Sequence, residues 1–439
     1  PASDFRIRAD GSAIKPVSGS TRTFGMAFTE EGERFVTTTT YPGLFVTPIA
    51  WHYLTRNPNA PAPVLDGPAS DDTRVYPIAP VHPWRVKREQ NAEYFAFYRK
   101  GSISDAVASG YFTSGCGPLV YRDDVLPGLQ DDYLVCEPAQ NLVHRSRIVR
   151  EGTRLRLERA EGEKEREVLA SRDAWFHPVA LAHTPWGGIA IVDFYREIIE
   201  DYSAIPRHLQ QQYGVVNGND RGRIWILEPD KATVEPAPSL AGLDREALKA
   251  ESGKGPHWRR ETARRLLLEQ GETLASLDLD GWKGDALAGR LAALRAADAD
   301  HFEKAREIES DLLSPGFVES LPPALALQSA LSLGQSRDPR ADDALLRLAR
   351  QNGSLPWMDA AIASSLPGLE EAFFLALAKE PGNGGPVLAH LAGLLATLGG
   401  TAEIESLLAA VAKTPVPEKV REILLLGLEE AKPLANPLV

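Results

Sequence analysis

Long apolar runs are missing from this sequence. No stretch approaches the roughly eighteen consecutive apolar residues that span a bilayer, so no membrane-crossing helix is expected. Cysteine is scarce, with only Cys116 and Cys136 in 439 residues. No CxxC, CxxCH or HExxH occurs, which removes the usual signals of a zinc finger, a covalently attached haem or a helical metalloprotease site. No GxGxxG follows a strand-like run and no GxxxxGK(S/T) occurs, so nicotinamide and ATP chemistry lose their usual signatures. Basic residues are in the minority, 48 against 60 acidic, for a formal charge of -12. With no long basic run, a phosphate backbone would meet a mildly repulsive surface, and nucleic acid is not an expected partner. Pro1 follows no initiator methionine and no signal peptide is visible, so a trimmed precursor or a fragment is expected.

What is present changes character along the chain. Residues 1 to about 230 are rich in Tyr, Trp, Phe, Val and Thr, broken by Gly, Pro and Asp, the vocabulary of short strands. Three strand clusters stand out: 24–49, 118–160 and 179–229. Their shared plan of strand, turn and strand suggests four-stranded propeller blades, though a stack of hairpins fits the same periodicity. Three blades do not close a ring, so further N-terminal blades on another fragment or chain are expected as partners. Residues 57–113, with NPNAPAPVLDGPASDD at their start, read as an insertion between blades, equally a binding-site cover or a structural plug.

Beyond Leu243 the apolar spacing becomes three and four residues, with Gly or Pro closing most segments. The spacing predicts helices at 258–271, 285–313, 324–334, 343–353, 386–400 and 403–413, paired as in a HEAT-like solenoid. The expected fold is therefore an incomplete β-propeller of about three blades over 1–232, with the 57–113 insertion, followed by an all-α HEAT-like domain over 240–439.

The run from Cys116 to Cys136 reads as two strands about a turn-forming centre. A hairpin folded at Leu126 places the two cysteines opposite each other, within reach of a disulfide, which would imply an oxidising compartment. Two buried thiols are the alternative.

Candidate chemistry rests on polar residues at strand ends. His177, in WFHPVALAH, precedes a strand expected to line a central channel, and His183 ends it. An imidazole there can take a proton from an alcohol as hydride leaves for a quinone-like acceptor. His144, in NLVHR, leaves a strand where channel lining and blade contacts would both use it. Asp193 could orient a histidine or hold an arginine, and Arg196 and Arg221 could clamp an anionic group. His183 and Asn219 complete the candidate cofactor set, although Asn219 and Arg221 serve equally to fix the GNDRGR turn. Packing and blade-locking roles explain the same residues.

FTSGCGPLVYRDDVLPGLQDDYLVCEPAQNLVHR at 112–145, SRDAWFHPVALAHTPWGGIAIVDFYREIIE at 171–200 and GNDRGRIWILEP at 218–229 together resemble the PVC-type membrane-bound dehydrogenases. WRRETARRLLLEQ at 258–270 is similar to the start of that family's HEAT-like region. The resemblance implies a propeller like that of the soluble quinoprotein sugar dehydrogenases, with pyrroloquinoline quinone and calcium as cofactors. It implies hydride transfer from a sugar or another alcohol, with electrons passed to a cytochrome, in a periplasmic, cell-envelope or secreted protein. It does not say which residues would hold the calcium. His177 departs from the family motif WFRPV. Two other functions fit the sequence: a non-catalytic scaffold holding a glycan or protein partner, and a polysaccharide hydrolase or lyase, which would need a carboxylate pair.

Overall fold

The computed structural model describes residues 4–8, 10–17, 24–99, 107–200, 205, 207–230, 239–299, 301–398, 401–413 and 415–430. The expected boundary between 232 and 240 falls largely outside them.

Short strands punctuated by Gly, Asp and Pro form antiparallel sheets, as alternation and turn chemistry dictate. A small hairpin pairs β1 (Phe5–Ile7) with β2 (Ile14–Pro16). The first sheet runs β3 (Met26–Phe28), β4 (Arg34–Val36), β5 (Leu44–Val46), β6 (Asp66–Pro68) in that order. The fourth strand comes from inside the expected insertion.

The second sheet orders β7 (Cys116–Val120), β8 (Tyr133–Glu137), β9 (Leu142–Glu151) and β10 (Arg154–Arg159) as a meander, with β11 (Leu169–Ala170) also on β9. The β9–β10 turn is two residues long, and Gly152 supplies its left-handed backbone at φ 65°. The third sheet holds β12 (Pro178–His183), β13 (Ile189–Asp193) and β14 (Arg223–Leu227).

The sheets stack in chain order through apolar faces. Ala27, Phe35 and Phe45 of the first pack against Val120, Tyr133, Val135, Leu155 and Leu157 of the second. Leu119, Tyr121, Leu134 and Cys136 then meet Phe176, Ile189 and Ile191 of the third. Covered on both faces, β8 is buried throughout. At Gly117, φ 52°, a β-carbon would lie 2.3 Å from the Val179 carbonyl oxygen and 2.5 Å from the Ala180 α-carbon, so this approach of β7 to β12 requires glycine.

The propeller expectation is overturned. The sheets are open, with two, four, five and three strands, and no closed ring of blades exists among the described residues. Strand alternation specifies hairpins and their buried faces; it carries no information on closure. The resemblance to PVC-type dehydrogenases, which implied that architecture, is not borne out.

The helical region also departs from a clean HEAT-like solenoid. The segment read as one helix over 285–313 is broken into Leu287–Asp298 and Arg306–Leu313. Between them His301 and Phe302 adopt left-handed backbone, φ 56° and 61°, while the Phe302 ring is fully buried. The helical core also takes in the strand half of the chain. Ile49, Tyr53, Leu54 and Ala60, around the short helix Trp51–Leu54, share one apolar core with Leu294, Leu312 and Leu331. The Tyr53 hydroxyl donates to Asp298 and accepts from Gln328 Nε2 at 2.9 Å, and Asn57 Nδ2 donates to the Ala363 carbonyl at 2.9 Å and to Glu370 at 2.8 Å. Among the described residues no helix is long and apolar enough to cross a membrane.

Candidate functional site

Strand β13 ends in Asp193, and pairing with β12 sets its carboxylate under the chain just before that strand. Asp193 is buried and accepts from the backbone amides of His177 (2.9 Å) and Tyr195 (3.0 Å), and from the Trp225 indole (3.1 Å); the Arg223 guanidinium lies 3.7 Å away. Its oxygens are thus occupied by donors from three segments of the third-sheet region.

His177, buried beside it, points the other way. Its Nδ1 lies 2.6 Å from the Pro138 carbonyl, an acceptor only, so Nδ1 carries the proton. Nε2 is then a bare lone pair with no protein partner. Burial pushes the His177 pKa down and keeps the ring neutral. The ring borders a cavity of about 30 Å³ lined by Pro77, His82, Trp84, Gln140, Asn141 and Ile198, among others. That space takes about two waters, since one needs roughly 10–15 Å³ by the same measure.

Asn141, in left-handed backbone at φ 61°, braces this corner by donating through Nδ2 to the carbonyls of Phe176 (2.7 Å) and Ala174 (3.1 Å). Sequence reasoning passed over Asn141. The signal was Asn following a Pro-Ala-Gln turn, a position that tolerates left-handed backbone.

The other candidates lie in separate networks. His144 is held between Glu167 (2.8 Å from Nδ1) and Ser146 (3.0 Å from Nε2), both buried. Glu167 also accepts from Arg159 (3.1 Å) and the Tyr76 amide (3.0 Å). A hydroxyl, an imidazole and a carboxylate in this order match a hydrolase triad. Ser146, however, is only 1% exposed and does not line the His177 cavity.

His183 stands at the far end of β12 from His177. It stacks on Tyr121, ring centroids 5.8 Å apart, accepts from the Arg122 amide at 3.1 Å and lies 4.5 Å from the His257 ring. Burial, then the Arg122 charge, lowers its pKa to about 4.

Arg196 folds back onto the carbonyls of Phe194 (3.0 Å), Tyr195 (2.9 Å) and Gly218. Asn219 and Arg221 occupy an exposed turn, with Arg221 3.8 Å from Asp220. The structure therefore gathers His177, Asp193 and Arg196 into one corner, and leaves His144, His183, Asn219 and Arg221 elsewhere.

Cys116 and Cys136 are opposed in the β7–β8 register, yet both are free thiols, and the disulfide reading is corrected. A register shift follows Cys116, and the two sulfurs turn to different carbonyls: Val179 at 3.5 Å from Cys116 Sγ, Gly117 at 4.0 Å from Cys136 Sγ.

Among the described residues no group of three or more His, Cys, Asp or Glu could hold a metal ion.

Residues 1–231 match the family described as a domain of unknown function, DUF7133. The chain belongs to that family. All the candidate residues above lie within the DUF7133 region, and the helices from Arg245 onward lie beyond it. No curated protein and no solved structure matches the chain.

Proposed function

We propose that this DUF7133 chain is a non-catalytic binding module that holds a protein partner. One observation carries the reading: the polar side chains best placed for chemistry are committed to the fold. Asp193 is occupied by donors from three segments, His144 by Glu167 and Ser146, and Arg196 by three carbonyls. Of the four, His177 offers an unpartnered nitrogen, and the enclosed space before it takes about two waters.

Exposed apolar side chains support the same reading. Ile224, Trp225 and Ile226 of β14, and Leu425 and Leu426 of the helix Glu418–Glu430, stand in solvent. Clustered exposed apolar residues mark partner surfaces. The reading leaves the periplasmic, envelope or secreted location a proposal as well, and free thiols lend an oxidising compartment no support.

Calorimetric titration of the native chain with pyrroloquinoline quinone in calcium-containing buffer tests it. No heat of binding is expected. Saturable one-to-one binding, lost in His177→Ala, would replace this reading with the quinoprotein oxidoreductase.

A further inference from the structure

The helices Arg245–Ser252 and His257–Glu269 form a hairpin whose apolar core is its own. Leu240, Leu248, Ala263 and Leu267 pack together, with Leu243, Leu266 and Leu277 at their rim, apart from the cores of the sheets and of the later helices. On one side Arg264 ties the hairpin to the helix Leu274–Asp278 through two bonds to Asp278, 2.6 and 2.7 Å. On the other side it rests on the strand half through polar groups: Asp123, Arg122, His183 and Glu30 face His257 and Arg260. Among the described residues no apolar cluster spans that seam.

The bonds across the seam need neutral imidazoles. Arg122 donates from its guanidinium to His257 Nε2 at 2.6 Å and from its backbone amide to His183 Nε2 at 3.1 Å. Both donors lack an acceptor site, so each bond uses a ring lone pair that a protonated imidazole no longer has. The two rings lie 4.5 Å apart, and Arg260 adds a second fixed positive charge. The opposing charges are Glu30, 3.3 Å from Arg122 and 3.8 Å from Arg260, and Asp123, which holds the His257 amide and has Asp124 beside it. Among the described residues His257 Nδ1, Arg122 Nε and Asp123 Oδ2 are buried here without a partner. Unpaired buried polar atoms weigh against the docked state, because water satisfies them on release.

We propose that this seam is an acid-operated latch: protonation of His183 and His257 frees the helical hairpin from the strand half while both remain folded. In the released form the imidazoles titrate near the ordinary value of about 6.5. In the docked form burial, then Arg122, holds them at about 4 and about 3. Release therefore takes up protons, and the ratio of released to docked chain rises as pH falls below 6.5, by up to about tenfold per pH unit for each histidine. Asp123 works the other way, because burial raises its pKa in the docked form, and it moderates the response at the acid end. The latch is a property of the fold and does not depend on what the chain binds.

Double electron–electron resonance tests it, with nitroxides at the exposed positions Glu158→Cys on β10 and Glu261→Cys on the helix His257–Glu269. The chain without these two cysteines serves as the labelling blank. One distance is expected at pH 7. Toward pH 4.5 a second, longer distance should appear and its share should grow, while far-UV circular dichroism keeps its native form. His183→Asn and His257→Asn each keep an acceptor and cannot protonate. Each should flatten the rise from up to about a hundredfold to up to about tenfold per pH unit, and the double variant should hold one distance throughout; the single variants decide if the double does not fold. A single unchanged distance in the native chain down to pH 4.5 overturns the proposal. So does a second distance that grows equally in the single variants, and so does loss of the native circular dichroism over the same interval.

Discussion

Asp123, in the loop after β7, accepts a hydrogen bond from the backbone amide of His257, 2.5 Å away and 134 residues later in the chain. His257 opens the helix His257–Glu269, whose own N-cap residue, Pro256, has no side chain to satisfy the first amides. The strand region therefore caps the helical region. Arg122 seals the joint by donating to His257 Nε2 at 2.6 Å and, through its backbone amide, to His183 Nε2.

Both imidazoles must stay neutral to accept these bonds. Burial first, then Arg122, His183 and Arg260, lowers the His257 pKa to about 3, against about 4 for His183. Folded values below the unfolded value of about 6.5 mean that this stabilisation is complete above pH 6.5 and is lost as pH falls toward 4. Asp123 has the opposite sense, because burial raises its pKa. Urea unfolding should show stability falling between those two values by about 1 kcal/mol per histidine, after allowance for solvent screening. His257→Asn keeps the backbone amide and cannot protonate, so its slope over the same interval should be shallower. An unchanged slope would remove His257 from the account.

Gly117→Ala should cost about 3 kcal/mol or more, because the added carbon meets backbone atoms of β12 that cannot step aside. Thermal unfolding checks this, and a loss under about 1 kcal/mol would mean that β7 and β12 can separate.

Glu167→Ala should be comparably severe, about 3–5 kcal/mol. It removes the acceptor for His144, Arg159 and the Tyr76 amide together and leaves the buried Arg159 guanidinium with one carboxylate, Asp72 at 3.4 Å, in place of two. Chemical denaturation of this variant beside His144→Ala reads the size of the network.

Thiol titration separates the free-cysteine structure from the cross-strand bridge. Burial lifts the Cys116 pKa to about 12 and raises that of Cys136 as well. Both should resist a thiol reagent at pH 8 in the native chain, and two thiols per chain should react in guanidinium. A disulfide would yield none in either condition.

The cysteines also show how far the sequence could be read. Their opposition in register was legible because a turn-rich centre fixes where a hairpin folds. Their failure to bond was not, since it depends on the bulge after Cys116 and on which carbonyl each sulfur faces. Asp193 stood out as a buried acid at a strand end, but its donors come from three segments that only the folded sheet brings together. Helix periodicity marked 285–313 as one segment, whereas the break between Leu287–Asp298 and Arg306–Leu313 turns on Phe302 entering the core with left-handed backbone, which periodicity does not register. Sheet closure left no trace in the residues at all.

The central proposal is that the candidate polar residues of this chain serve its fold and not redox chemistry. Dye-linked turnover with sugars and with primary and secondary alcohols, in the presence of quinone and calcium, tests it most directly when the native chain and His177→Ala are run side by side. The account predicts that both remain at the level of heat-denatured protein. Turnover in the native chain that disappears in His177→Ala would contradict it.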